Sequence, residues 1–195
     1  LETLRQPLEE REVTVSRVEA SVTYPANFQL VAAMNPCPCG HFPDRSRCRC
    51  TDGQITRYLQ KVSGPMLDRI DICVEASPIT YGDIRSSGNN ESSREIRARV
   101  EQARKIQGER FAGENIRCNG EMSGRHIRKF CWLGREEEKF MEEIFKKLAL
   151  SARMHDRILK VARTTADLAE EEKIRLADLC EAVSYVKSRD KFWGN

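Results

Sequence analysis

Four cysteines stand within fourteen residues as two Cys-x-Cys pairs, Cys37/Cys39 and Cys48/Cys50, with eight residues between the pairs. Four thiolates have the number and softness that one tetrahedral structural zinc ion requires, although the usual knuckle places two residues between paired cysteines. Two disulfides or four free thiols are the other readings, and His41 could substitute for one ligand. Pro38, Arg45, Arg47 and Arg49 would set the turn and help keep the thiolates deprotonated. Just ahead of the cluster, Asn35 closes the apolar run Phe28-Gln29-Leu30-Val31-Ala32-Ala33-Met34. An amide there can orient a water and contact a phosphate oxygen without adding charge; it can equally cap a strand-to-turn junction. Further on, Arg69 lies in Leu67-Asp68-Arg69-Ile70-Asp71. Its planar, permanently charged fork suits a transferring phosphoryl group, or a local salt bridge with Asp68 or Asp71.

These residues need elements to hold them. Seven mostly apolar residues stopped by Asn35-Pro36 predict a buried, parallel strand, since such strands are covered on both faces and proline cannot donate to a ladder. Asn35 would then sit at the carboxyl edge of a sheet, where open α/β folds bind ligands. Residues 2–10 read as the tail of a helix. Val13 and Val15, then Val22 and Tyr24, alternate with polar residues about Val18-Glu19-Ala20, which predicts a hairpin with Arg17 near its tip. Thr51 and Gln54 form a capping-box pattern, predicting a helix over about 52–62. A second strand is expected over Ile70-Asp71-Ile72-Cys73-Val74-Glu75.

Pro78 to Asn90 is rich in Ser, Gly and Asn and reads as a linker. After it every signal is helical: a Ser92/Glu95 capping box with Ile96, Val100 and Ala103 on one face, then helices near 135–149, 152–169 and 177–186. Arg94, Arg97, Arg99, Arg104, Lys105 and Arg110 could form a nucleic-acid stripe. Glu91, Glu95, Glu101 and Glu109 are interleaved with them, so a solvated amphipathic helix is the better reading. The expected organisation is an α/β part over 1–80 with a Cys-rich insertion at 36–50, a linker over 81–90, and an all-helical part over 91–195.

The chain has 195 residues, 39% hydrophobic and 32% charged, with a net charge of +3. That is an ordinary globular composition, and the charge is too weak to announce nucleic-acid binding by itself. No apolar run approaches membrane-spanning length, and no signal-peptide pattern opens the chain. Cys73, Cys118, Cys131 and Cys180 are scattered, which suits a reducing cytosol and makes a cytoplasmic location the expectation. No Gly-x-x-x-x-Gly-Lys-Ser/Thr occurs, and no strand ends in Asp-Glu. With Leu1 at the start, the expectation is a C-terminal fragment cut after a nucleotide-gripping half.

The order strand-Asn-Pro, Cys-rich insertion, then Gly64-Pro65-Met66-Leu67-Asp68-Arg69-Ile70-Asp71 resembles the magnesium-chelatase-like AAA+ ATPases, the ComM-type group associated with competence. Leu4-Arg5-Gln6-Pro7-Leu8-Glu9, Val13-Thr14-Val15-Ser16-Arg17, Leu150-Ser151-Ala152-Arg153 and Lys160-Val161-Ala162-Arg163-Thr164-Thr165-Ala166-Asp167-Leu168 match as well, so the resemblance covers nearly the whole chain. It implies the distal part of a P-loop AAA+ α/β core followed by a helical lid, working as a ring, expected to be hexameric, with ATP and Mg2+ at the subunit junctions. It also implies Asn35 as sensor 1, Arg69 as an arginine finger acting in trans, and Arg163 as sensor 2. By the helical pattern Arg163 points outward with Lys160 and Asp156. Arg153 would touch nucleotide or brace the lid. The hairpin would enter the ring's pore, with Arg17 either contacting DNA or simply solvated. The implied activity is ATP-driven DNA remodelling or branch migration in recombination and natural transformation, with this chain alone inactive. The alternatives are metal insertion into a tetrapyrrole and, for the isolated chain, a non-enzymatic zinc-binding interaction module.

Overall fold

Alternation of valine with Thr and Ser makes the first element pair. After a 3-10 turn over Glu2–Leu4 and the short helix α1 (Arg5–Glu10), Arg11 enters the left-handed region at φ 59° and turns the chain into β1 (Glu12–Arg17). β2 (Ala20–Pro25) returns antiparallel, as the hairpin pattern predicts, with Val13 opposite Tyr24 and Val15 opposite Val22. Successive side chains alternate between faces, so the other face carries hydroxyl pairs, Thr14 with Thr23 and Ser16 with Ser21, each at 2.9 Å. The structure is a computed structural model and describes residues 1–85 and 91–193. The chain divides into two compact units, Leu1–Ile72 with Arg189–Asn195, and Cys73–Ser188.

Neither expected strand beyond the hairpin forms. Phe28–Met34 and Ile70–Glu75 lack regular structure, and β1–β2 is the sheet found among the described residues. The physical reason is the absence of partners: a parallel strand exists only when neighbours take up its N–H and C=O groups and cover both faces. Here Val31 is 83% exposed, and Phe28, Met34, Ile72 and Val74 are exposed too. Hydrophobicity by itself cannot make a ladder.

Local capping does survive without a sheet. α2 (Asp52–Leu59) starts at a complete capping box, Gln54 N donating to Thr51 Oγ1 at 3.3 Å and Thr51 N to Gln54 Oε1 at 2.9 Å. It buries Ile55 and Leu59 against Cys37, with Phe192 and Trp193 alongside; Trp193 Nε1 donates to the Leu59 carbonyl at 3.1 Å. α3 (Gly64–Leu67) is one turn, capped by Ser63 and opened by Pro65, and it buries Met66 and Leu67.

The second unit is helical. α4 (Tyr81–Arg85) lies within the expected linker, whose residues 86–90 are outside the described residues. α5 (Ser93–Arg110) begins at the Ser92/Glu95 capping box. A 3-10 turn over Asn119–Glu121 leads to α6 (Gly124–Phe130), α7 (Arg135–Lys147), α8 (Ala152–Leu168) and α9 (Leu176–Trp193). α7 carries Glu136, Glu137 and Glu138 in its first turn and Lys146 and Lys147 in its last, matching the helix dipole at both ends. Ile158, Ala162 and Leu179 are wholly buried, in a core with Phe111, Ile127 and Met141 among others. The face expected on α5 is only half used: Ala103 is buried, while Ile96 and Val100 are each 44% exposed.

At the centre of this unit is a polar hub. The fully buried Asp167 carboxylate accepts from both terminal nitrogens of Arg110, one of them at 2.7 Å, from Asn119 Nδ2 at 2.7 Å and from Arg163 Nε at 3.1 Å. Asn119 Nδ2 also donates to Thr164 Oγ1 at 3.0 Å, and its backbone N–H donates to Gln107 Oε1 at 3.3 Å. One carboxylate thus joins α5, the 3-10 turn and α8. Replacing Asp167 with Ala leaves two guanidinium groups without their anion, and removing one partner of a buried pair costs about 3–5 kcal/mol. Urea denaturation of Asp167→Ala should show a loss of that size, whereas Arg99→Ala, which breaks the exposed pair with Glu91, should leave the urea midpoint nearly unchanged.

Candidate functional site

Between β2 and α2 the chain has no helix or strand, yet it brings the four cysteines together. Cys37 Sγ lies 3.4 Å from Cys39 Sγ and 3.8 Å from Cys48 Sγ, Cys39 and Cys48 are 3.6 Å apart, and all four sulfurs fall within 4.8 Å of one another. Two turns do this. Gly40, at φ 80°, donates its N–H to the Cys37 carbonyl at 3.0 Å, a left-handed position that glycine occupies without strain. Asp44 builds the return: its side chain accepts from Ser46 N at 2.9 Å and Ser46 Oγ at 2.6 Å, and its carbonyl accepts from Cys48 N at 2.8 Å. Arg45 lies 5.0 Å over the Phe42 ring, pairs with Asp52 and donates to the Cys50 carbonyl at 3.5 Å, fastening the turn to the start of α2. Such a group of thiols could hold a metal ion.

The thiols are not equivalent. The His41 backbone N–H, with a further contribution from that of Arg49, draws the exposed Cys39 down to about 6. Burial, then the neighbouring Cys39 and Cys37, pushes Cys50 up to about 11. At pH 7 Cys39 is therefore largely a thiolate, while Cys48 and Cys50 are held above the ordinary thiol value, and thiolates are the form that alkylates. With metal removed by a chelator, iodoacetamide at pH 7 should modify Cys39 first. The rate at that residue should fall as the pH drops through about 6, where the thiolate takes up its proton. Site-resolved mass spectrometry checks both points; first modification at Cys50 would contradict them.

The remaining residues are placed as follows. Asn35 is exposed and ends no strand, correcting that expectation; its side chain lies beside Gly40, where an added Cβ would stand 3.7 Å from Asn35 Nδ2. Arg69 is largely covered, its side chain 14% exposed; it pairs with Glu9 of α1, and one terminal nitrogen donates to the Pro65 carbonyl at 2.6 Å. Its Nε is buried without a hydrogen bond. Asp68, expected as a local partner, pairs instead with Arg189 at 3.2 Å. Arg17 is exposed at the end of β1, opposite Ala20. Arg153 is exposed in the first turn of α8, just after the Ser151 cap.

Arg163 requires the main correction. The helical pattern sets it outward with Lys160 and Asp156; it is instead 2% exposed. Its Nε bonds to Asp167, and its terminal nitrogens donate to the carbonyls of Glu172 at 2.7 Å and Glu171 at 2.5 Å. Burial lowers its pKa, opposed chiefly by the Asp167 charge. Apolar periodicity finds one face of a helix, whereas α8 also buries Arg157, Arg163 and Asp167. The Arg163/Asp167 spacing of i,i+4 was the available signal; nothing in the sequence marked Arg110 or Asn119 as their partners.

A family model for magnesium chelatase, subunit ChlI, matches residues 1–84, and one for the ChlI C-terminal region matches residues 90–186. The chain belongs to the magnesium-chelatase-like family. It is 42% identical over 186 residues to competence protein ComM of Haemophilus influenzae. It is also 43% identical over 187 residues to the uncharacterized protein YifB of Escherichia coli, and 36% over 185 residues to an uncharacterized protein of Mycobacterium tuberculosis. Each alignment covers 95% of this chain and 36% of the relative, so the chain spans about a third of the length of the curated relatives it matches. The family brings ATP and Mg2+ into question. The residues present do not by themselves fit that group: the sequence has no phosphate-binding loop, and the forks of Arg69 and Arg163 already hold protein acceptors.

Proposed function

We propose that this chain is the sensor-and-lid portion of a ComM-type AAA+ ATPase, a part of a longer catalyst that cannot bind nucleotide alone. The observation that carries the reading is the match to ComM, 42% identical over 95% of the chain. In the longer protein MgATP would sit at the junctions of a cytoplasmic ring, expected to be hexameric. Asn35 would face it as sensor 1, and Arg69 would reach it from the neighbouring subunit. The output would be DNA remodelling or branch migration, with the β1–β2 hairpin and Arg17 directed at a strand. Tetrapyrrole metal insertion is the alternative; the name of the relative ComM, a competence protein, favours the DNA reading.

Of the two lid arginines, Arg153 is the better nucleotide contact. It is exposed at the start of α8, whereas Arg163 is 2% exposed. In the full-length protein Arg69→Ala should keep nucleotide binding and lose on the order of 10³–10⁵ in turnover, the range over which arginine fingers act. Arg153→Ala should reduce turnover or nucleotide affinity in a protein of normal stability; Arg163→Ala should lower the melting temperature. Unchanged ATPase rates for both Arg69→Ala and Arg153→Ala would end the reading. The 195-residue chain should show no thermal shift with MgATP.

A further inference from the structure

We propose that Cys37, Cys39, Cys48 and Cys50 bind one zinc ion, and that this ion fixes the Gly40 turn against Asn35, making the metal a positioning element for that amide. The metal part stands on the cysteines alone; its consequence for catalysis rests on the reading of Asn35 as sensor 1.

Four sulfurs at tetrahedral corners about 2.3 Å from zinc stand about 3.8 Å from one another. The separations of 3.4, 3.6 and 3.8 Å approach that figure, with the fourth sulfur inside the same 4.8 Å cluster. The sulfurs come from two arms that meet across the Asp44 turn, so convergence is a property of the folded loop and not of one local pair. Disulfides would place sulfurs pairwise at about 2.05 Å, and all four cysteines are free. Backbone N–H groups are aimed at them: Phe42 N at Cys37 Sγ, 3.4 Å, and the amides of His41 and Arg49 at Cys39. Donors of this kind, with Arg45, Arg47 and Arg49 at alternate positions along the return arm, offset the two negative charges a zinc tetrathiolate carries. Soft thiolates in a tetrahedron select zinc over the hard cations that want oxygen.

Residues 26–51 have neither helix nor strand, and an ordered loop of that length inside a compact unit needs something to hold it. Cys37, wholly buried against Ile55 and Leu59, anchors one arm; the capping box at Thr51 begins directly after Cys50 and anchors the other. The ion would join both anchors. Asn35 lies two residues before Cys37, and Gly40, inside the first Cys-x-Cys turn, packs beside its amide. Loss of the ion would release that turn and, with it, the amide.

The test uses the 195-residue chain purified under reducing conditions without chelator. Elemental analysis should find about one zinc per chain, and cobalt(II) exchanged into the site should give the strong visible and thiolate charge-transfer bands of a tetrahedral tetrathiolate. In 15N–1H spectra, chelation should shift the Asn35 side-chain amide pair and zinc should restore it, while the Asn119 pair, buried in the helical unit, stays in place. Cys48→Ser should bind much less than one zinc. Absence of metal and of cobalt bands would overturn the site. Stoichiometric zinc whose removal leaves the Asn35 amide unmoved would overturn the positioning claim alone. Normal zinc and a responsive Asn35, with Asn35→Ala fully active in the longer protein, would instead count against the sensor reading.

Discussion

A carboxylate shut away from water must be matched by cations and donors, and in the helical unit Asp167 is matched by Arg110 of α5, Asn119 of the 3-10 turn and Arg163 of its own helix. Arg110 closes the end of α5 onto α8, Asn119 fixes the 3-10 turn, and Arg163 carries the connection on to the carbonyls of Glu171 and Glu172 where the chain leaves α8. The apolar core could be filled in several ways by residues of similar size, but the hub admits one alignment of these segments. Nearby, burial pushes the Cys131 thiol up to about 12, so it stays neutral in the same interior.

The first unit has no comparable interior. Its apolar cluster is small, built on Cys37, Ile55 and Leu59, and its long segments before and after that cluster are exposed. What orders it is a set of cross-connections: Glu9 to Arg69, Glu2 to Ser63, Arg45 to Asp52, and the four sulfurs. Individually most of these lie near the surface, where an ion pair contributes little. The sulfur cluster differs because a coordinated ion would make folding and binding one process.

Elements set by short-range chemistry were legible in the sequence. The hairpin followed from alternation of Val13, Val15, Val22 and Tyr24, and two helix starts followed from Thr51/Gln54 and Ser92/Glu95. The start of α6 was missed because His126, not Glu or Gln, sits at the third position of its capping box, its ring nitrogen 3.1 Å from Ser123 N. Strands over Phe28–Met34 and Ile70–Glu75 were misread because pairing is a property of neighbours and not of a segment. The metal candidate was legible as four residues of one kind, close in sequence. Arg163 was misread because burial of a charge depends on distant partners, Asp167 being visible at i,i+4 but Glu171 and Glu172 acting only through their carbonyls.

Glu9 has a consequence for Arg69. A carboxylate offers a guanidinium fork two oxygens in much the geometry that a phosphate does, so Glu9 would compete with any anion that approached Arg69. Arg69 is thereby kept stretched and oriented, with its aliphatic stem covered, before any such anion arrives. An incoming anion competes with a fixed negative charge and not merely with water. Whatever draws the guanidinium away also breaks one tie between the N-terminal segment and α3, leaving that of Glu2 to Ser63, so the occupancy of one side chain and the hold on one helix are coupled.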